Sequence, residues 1–216
     1  DFDNNFQDWM KSELLKKHKI ISVRNLTEST FVIRLERNNL QFQTGQFVIL
    51  NISDSTAKRE YSIYSGENDD YLEVLVREID GGKVSGKLKR LNAGKEVEVE
   101  GPFGFFKFNP DLFASQKFLF VATGTGISPF HSLVRTFPEL QYQLIHGVRL
   151  KEEAYDHSDY KNGKVSLCLT GREDGDFSGR VTDYLFTQKI DNETNCFLCG
   201  NSEMIYEAFD ILTGKG

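Results

Sequence analysis

Phe118-Leu119-Phe120-Val121-Ala122-Thr123-Gly124-Thr125-Gly126-Ile127-Ser128-Pro129 is the stretch on which the fold of this 216-residue chain turns. Five apolar residues in a row, Phe118 to Ala122, suit a strand buried on both faces. Ser128 has the chemistry of an N-cap, and Pro129 suits the first helical position. Between strand and helix, Gly124 and Gly126 let the backbone turn sharply and approach a neighbour closely. A strand that passes through such a turn into a helix offers unpaired N–H groups and the positive end of a helix dipole, and both favour phosphate. The same turn also occurs with no ligand. Here Pro129 stands where the usual dinucleotide fingerprint has its third glycine.

Downstream, strands and helices alternate. Gln143–His146, Val165–Leu169 and Cys196–Cys199 read as strands. Phe130–Thr136, a polar segment at Lys151–Tyr160, Arg180–Gln188 and Ser202–Leu212 read as helices. That alternation predicts an α/β doubly wound parallel sheet. Upstream the pattern is different. Ile20–Val23, Thr30–Leu35, Gln46–Leu50, Tyr71–Val76 and Glu96–Glu100 read as strands, the last two alternating as half-buried strands do, and turn residues such as Asn38-Asn39, Gly81-Gly82 and Asn92-Ala93-Gly94 separate them. Short strands at regular spacing predict an antiparallel β-barrel, with one short helix at Val84–Leu91. The expected domains are a helix or tail over 1–19, a barrel over 20–112, and the α/β unit over 113–216, with the boundary near the Asn109-Pro110-Asp111 turn.

Composition narrows the function classes. With 26 basic and 32 acidic residues the net charge is −6, which argues against general nucleic-acid binding. No apolar run is long enough to span a bilayer, and the charged start does not read as a signal peptide. The sequence begins at Asp1 rather than Met, as expected of a trimmed or processed chain. Three cysteines fit a cytoplasmic protein without a disulfide framework, and they are too few for the four ligands of a plant-type iron–sulfur cluster. Electron transfer here would need an organic cofactor. Cys196 and Cys199 are spaced like a redox or zinc pair. On a strand, however, residues three apart point to opposite faces, and no second pair exists.

Three further motifs flank the glycine turn: Arg59-Glu60-Tyr61-Ser62, Asp80-Gly81-Gly82-Lys83-Val84-Ser85, and Cys199-Gly200-Asn201-Ser202. With Gly101-Pro102-Phe103-Gly104 and Gly-Thr-Gly-Ile-Ser-Pro between them, their order resembles the ferredoxin–NADP reductase family, the compact bacterial members most of all. The resemblance runs from about Ile20 to Leu212. It implies an FAD-binding barrel and an NADP-binding sheet. Arg59 would meet the FAD pyrophosphate, Tyr61 would lie against the flavin ring, and Ser62 would hydrogen-bond near flavin N5. Ile63, Val76, Gly82, Lys83, Val84 and Ser85 would complete the FAD site, the last four as a helix start under the phosphates. Thr123, Gly124, Thr125, Gly126, Pro129, Gly147, Gly200 and Met204 would line the nucleotide site. Arg149, Arg172 and Arg180 would hold the 2′-phosphate of NADP, where an NAD site would more often present an acid. Taken singly, each of these arginines also fits a surface ion pair.

The implied activity is hydride transfer from NADPH to FAD, then release of single electrons to a ferredoxin or flavodoxin. Ser62 and Cys199 are the expected catalytic residues, and no general acid or base stands out. Such acceptors are acidic, so a basic docking patch is expected. Lys83, Lys87, Lys89 and Arg90 form one candidate, and Lys11, Lys16, Lys17 and Lys19 a second. Solvated helix faces account for the same lysines. The resemblance also implies a final strand and a terminal aromatic over the flavin, whereas this sequence ends at Lys215-Gly216. Two other functions remain open at this level: the reductase subunit of a multicomponent oxygenase, and a non-enzymatic domain on the same scaffold. Retention of Arg59, Tyr61 and Ser62 speaks against the second.

Overall fold

A computed structural model describes residues 15–52, 57–113, 115–171 and 175–215. The chain forms two compact units that divide between Lys107 and Phe108. The division falls earlier than the sequence boundary after residue 112. Phe108 belongs with the second unit because its ring packs on Phe197 at 4.6 Å and on Phe120 at 6.1 Å.

The first unit has six antiparallel strands: β1 (Leu15–Asn25), β2 (Thr30–Glu36), β3 (Phe47–Asn51), β4 (Lys58–Ser62), β5 (Tyr71–Arg77) and β6 (Glu96–Phe103). Their spatial order is β4-β3-β6-β1-β2-β5. The two outer strands meet through the Ile63–Val74 bridge, and Tyr64 N–H donates to the Glu73 carbonyl, so the sheet closes on itself. Closure removes free edges. Ile33, Leu35, Val48, Leu50, Val74, Val76, Val97 and Val99 fill the interior. A helix of one and a half turns, α1 (Ser85–Lys89), docks Leu88 and the adjoining Val84 on that core.

Two expectations for this unit change. The helix or tail at 1–19 is strand from Leu15 onward, while residues 1–14 lie outside the described residues. Cross-strand chemistry explains the strand. Lys17 lies opposite Glu98 and Lys19 opposite Glu96, while His18 and Ile20 are buried. The second change is in β5, which is buried from Leu72 to Val76 instead of alternating. Its outward Glu73 is only 4% exposed because Arg34, directly opposite on β2, donates to it at 2.8 Å. The Arg34 guanidinium also lies 3.8 Å from the centre of the Tyr71 ring.

The second unit has five parallel strands: β7 (Lys117–Thr123), β8 (Tyr142–Val148), β9 (Gly163–Leu169), β10 (Phe177–Ser178) and β11 (Thr194–Cys199). Their order is β10-β9-β8-β7-β11. Helices α2 (Ser128–Thr136), α3 (Val181–Thr187) and α4 (Ser202–Lys215) cover the sheet. Leu119, Val121 and Ile145 pack with Val181, Leu185, Met204 and Ala208 of α3 and α4. On the other face Phe120 stacks on Phe130 of α2 at 4.7 Å. β7 is therefore buried on both faces, and the unit is doubly wound.

The helix expected at 151–160 is absent. Two short 3-10 turns, Lys151–Glu153 and His157–Asp159, stand there instead. Tyr155 and Tyr160 are both buried, and five residues apart they would lie about 140° apart around an α-helix. The chain breaks at Asp156, which is left-handed at φ 46°, and brings both rings inside. β10 is a strand that the sequence did not announce.

Leu50 has no exposed surface and sits centrally in the barrel core. Leu50→Ala is expected to cost about 2–5 kcal/mol of stability. Urea denaturation followed by far-UV circular dichroism checks this through the midpoint.

Candidate cofactor sites

Strand order places a topological switch point in the second unit. From β7 the chain moves to β8 on one side and returns to β11 on the other. In open α/β sheets, ligands bind outside the carboxyl ends of the strands at such a point. There the glycine turn meets the end of β11. A Cβ on Gly126 would stand 2.5 Å from both the Cys199 carbonyl oxygen and the Gly200 Cα. A Cβ on Gly200 would stand 2.2 Å from Thr123 Oγ1, and Gly200 is left-handed at φ 144°. The two strand ends can approach this closely only without side chains.

Hydrogen bonds lock the contact. Asn201 N–H donates to Thr123 Oγ1 at 2.9 Å. Asn201 Oδ1 accepts from Glu203 N–H at 2.9 Å and Met204 N–H at 3.3 Å, so it caps the start of α4. Asn201 received no role from the sequence, although an Asn just before Ser-Glu-Met is a capping signal. Ser128 does not cap α2. The turn Gly124–Ile127 is a 3-10 turn that runs straight into the helix, Ser128 is its first helical residue, and its hydroxyl donates back to the Thr125 carbonyl at 2.7 Å. Pro129 is accordingly second in the helix rather than first.

Gly147 ends β8 against α3, where a Cβ would stand 2.4 Å from Val181 Cγ1. Its neighbour His146 is fully buried. His146 Nε2 lies 2.9 Å from the Gly124 carbonyl, and Nδ1 lies 2.9 Å from His157 Nε2. Neither histidine is among the site residues expected from the sequence. Arg149 and Arg180 are exposed at the carboxyl edge, and neither forms an ion pair among the described residues. Glu153 fixes the backbone beside Arg149 by accepting its N–H at 2.8 Å and that of Leu150 at 3.0 Å. Arg172 lies outside the described residues. Burial pushes the Cys199 thiol up to about 11, so it is protonated at neutral pH. Met204 is 7% exposed and belongs to the apolar layer beneath α4.

In the first unit, Arg59 and Tyr61 lie on one face of β4 by the pleat, and Glu60 and Ser62 on the other. Arg59 is exposed, and its guanidinium donates to the neighbouring Lys58 carbonyl at 2.8 Å. Tyr61 packs on the barrel core, and burial raises its hydroxyl to about 12, so it is a neutral phenol. Ile63 and Val76 have no exposed surface and Val84 only 2%, and their side chains fill the core. Gly82 builds the turn before α1. Its N–H donates to the Ile79 carbonyl at 2.7 Å, while Ile79 N–H donates to Ser85 Oγ at 3.2 Å. Ser85 keeps its own proton to donate. Gly81, left-handed at φ 71°, has nothing within 4 Å of where a Cβ would sit, and Lys83 is exposed beside it.

The two basic clusters differ. Lys17 pairs with Glu96 at 3.8 Å on a strand whose partner β6 places Glu98 opposite Lys17 and Glu96 opposite Lys19; Lys11 lies outside the described residues. Lys89 is held by Glu78 at 2.6 Å, whereas Lys83, Lys87 and Arg90 are exposed. A cavity of about 510 Å³ lies at the opposite edge of the second unit's sheet, lined by Lys117, Lys164, Lys189 and Tyr142 among others. It is at the amino ends of the strands, away from the glycine turn, and the strand ends are the better guide to the nucleotide. The three cysteines are free thiols, and no cluster suited to a metal ion occurs among the described residues.

Comparison with known proteins gives two family matches. Residues 12–108 match the oxidoreductase FAD-binding domain, and residues 120–209 match the oxidoreductase NAD-binding domain. The ferredoxin–NADP reductase of Azotobacter vinelandii is 27% identical over 94% of this chain and 90% of its own length. A flavodoxin/ferredoxin–NADP reductase of Rhodobacter capsulatus is 30% identical over 79% of this chain and 72% of its own. The crystal structure of a ferredoxin NADP+ reductase from Neisseria gonorrhoeae with bound FAD and NADP superposes with a TM-score of 0.81, at 23% identity over 94% of this chain and 92% of that one.

Burial holds His146 neutral and lowers its pKa from 6.5 to about 3. In the unfolded chain the ring protonates first, so its contribution to stability is complete above about 6.5 and is lost as the pH falls toward about 3. Thermal melts in buffers spanning this range are expected to show a falling midpoint below pH 6.5. A flat profile would contradict the burial of a neutral ring.

Proposed function

Since this chain belongs to the ferredoxin–NADP reductase family of oxidoreductases, with an FAD-binding domain followed by an NAD-binding domain, we propose that it oxidises NADPH and passes electrons singly to a ferredoxin or flavodoxin. The switch point carries this reading. The glycine turn closes on Cys199 and Gly200 backbone to backbone, and at Gly124 it leaves open main chain where a dinucleotide phosphate approaches.

The residues divide the work between the units. On the sheet side, Thr123, Gly124, Thr125, Gly126 and Pro129 form the nucleotide turn, with Gly147, Gly200 and the start of α4 at Met204 as its walls. Arg149 and Arg180, and Arg172 by its place in the sequence, bind the 2′-phosphate dianion as charge-assisted donors. Cys199 stays a neutral thiol there, so it adds no charge beside the nicotinamide. On the barrel side, the Arg59 guanidinium has donors beyond the one given to Lys58, and these suit a pyrophosphate. Tyr61 presents a flat neutral ring, and Ser62 a hydroxyl that hydrogen-bonds near the reacting flavin nitrogen. The backbone of Ile63, Val76, Gly82 and Val84, with Lys83 and Ser85, frames the remainder. Bound FAD supplies the exchange of two electrons from NADPH for single electrons to the acceptor; the protein aligns the rings and excludes water. Lys83, Lys87 and Arg90 offer an acidic acceptor its docking charge. The free thiols and the nucleotide suit a cytoplasmic setting.

The purified protein is expected to be yellow and to be reduced faster by NADPH than by NADH. Arg149→Ala should raise KM for NADPH about ten- to hundredfold, the scale of a lost charged hydrogen bond, and leave KM for NADH nearly unchanged. Colourless protein that takes up no FAD refutes the function, and equal effects on both nucleotides refute the phosphate role.

A further inference from the structure

Behind the glycine turn lie two imidazoles to which the reading above gives no task. His146 comes from β8 and has no exposed surface; His157 is half-buried in the second 3-10 turn of the 151–160 loop. The Gly124 carbonyl can only accept, so His146 Nε2 carries the proton and donates across 2.9 Å. A neutral ring then has an accepting Nδ1, and His157 Nε2–H donates to it across 2.9 Å. One tautomer of each ring satisfies both bonds.

The carbonyl they hold matters because of the peptide plane. Gly124 is left-handed at φ 52°, and nothing lies within 4 Å of where its Cβ would be, so no side chain packs that corner of the turn. A trans peptide is rigid, and its C=O and N–H point in opposite directions. Fixing the Gly124 carbonyl toward His146 therefore aims the Thr125 N–H away from His146.

We infer that His146 and His157 are a positioning pair that sets the Gly124–Thr125 peptide plane, and with it the N–H that meets the nucleotide phosphate. The 151–160 loop is thereby coupled to nucleotide affinity. The inference rests on the reading that the dinucleotide binds at this turn. Other ionisable groups around the pair are Tyr155, 6.2 Å from His146 by ring centres, Tyr160, 5.9 Å from His157, and the Asp176 carboxylate; burial lowers the His157 pKa, and Asp176 opposes that without reversing it. Asp159 is engaged by His131 at 3.0 Å and by Arg135 at 3.6 Å.

Steady-state kinetics of the FAD-loaded enzyme test the pair. His146→Leu removes the donor and is expected to raise KM for NADPH about tenfold, with flavin content and kcat near wild type. His146→Gln places an amide N–H where Nε2 was and is expected to restore most of the loss. His157→Phe, a milder change at a half-buried position, is expected to raise KM in the same direction and serves if His146→Leu does not fold. A wild-type KM in His146→Leu or in His157→Phe overturns the pair, as does His146→Gln behaving no better than His146→Leu. Nitrogen-15 spectra of the histidine rings at pH 7 provide a readout that needs no nucleotide. Protons on both Nε2 atoms and a bare Nδ1 on His146 are expected, and a protonated His146 Nδ1 overturns the inference. If FAD-loaded wild-type enzyme takes no hydride from NADPH, the proposed function fails, and the ring spectrum still decides the pair.

Discussion

The approach of two strand ends at Gly126 and Cys199–Gly200 constrains everything else in the second unit. Backbone meets backbone there at distances that exclude even a methyl group. For that contact to exist, β7 must stop at Thr123, β11 must lie beside it in parallel register, and α2 and α4 must leave in their own directions from the same edge. Thr123 Oγ1 and Asn201 tie the ends together, so the glycines create the space and two polar side chains fix it. A glycine turn that leads into a helix, at the switch point of a parallel sheet, is an electrostatic and steric match for a phosphate.

The barrel solves a different problem. Its sheet closes through Ile63 and Val74, which buries the segment after β4 and leaves the loop before α1 exposed on a rigid frame. Several charges on its wall pair with one another. Arg34 with Glu73, Lys58 with Glu100, and Lys89 with Glu78 are paired, whereas among the described residues Arg59 donates only to the neighbouring Lys58 carbonyl. An exposed arginine that its own fold does not use is more informative than a count of basic residues.

Much of this was legible in the sequence because it depends on local chemistry. The apolar run at Phe118–Ala122, the glycines after it and the alternation of β6 each follow from backbone and burial rules that act within a few residues. What was not legible depends on distant partners. Leu15–Lys19 is strand because Glu96–Glu100, some eighty residues away, supplies the opposite charges. The 151–160 segment looked helical by polarity, but Tyr155 and Tyr160 needed the same interior. His146 ends the strand read at Gln143–His146, and its partners came only when β8 lay beside Gly124 and the loop delivered His157. Ser85 and Ser128 carried the right chemistry with different partners: one accepts from Ile79 N–H and the other donates to the Thr125 carbonyl.

The central claim is that the nicotinamide nucleotide occupies the switch point of the second unit. Amide hydrogen exchange of the FAD-loaded protein, with and without saturating NADP+, tests it most directly. The account predicts protection concentrated at residues 124–128 and 199–204, with smaller protection near Arg149 and Arg180. Protection at the amino edge of the sheet instead, around Lys117, Lys164 and Lys189, or no change at the glycine turn, would contradict it.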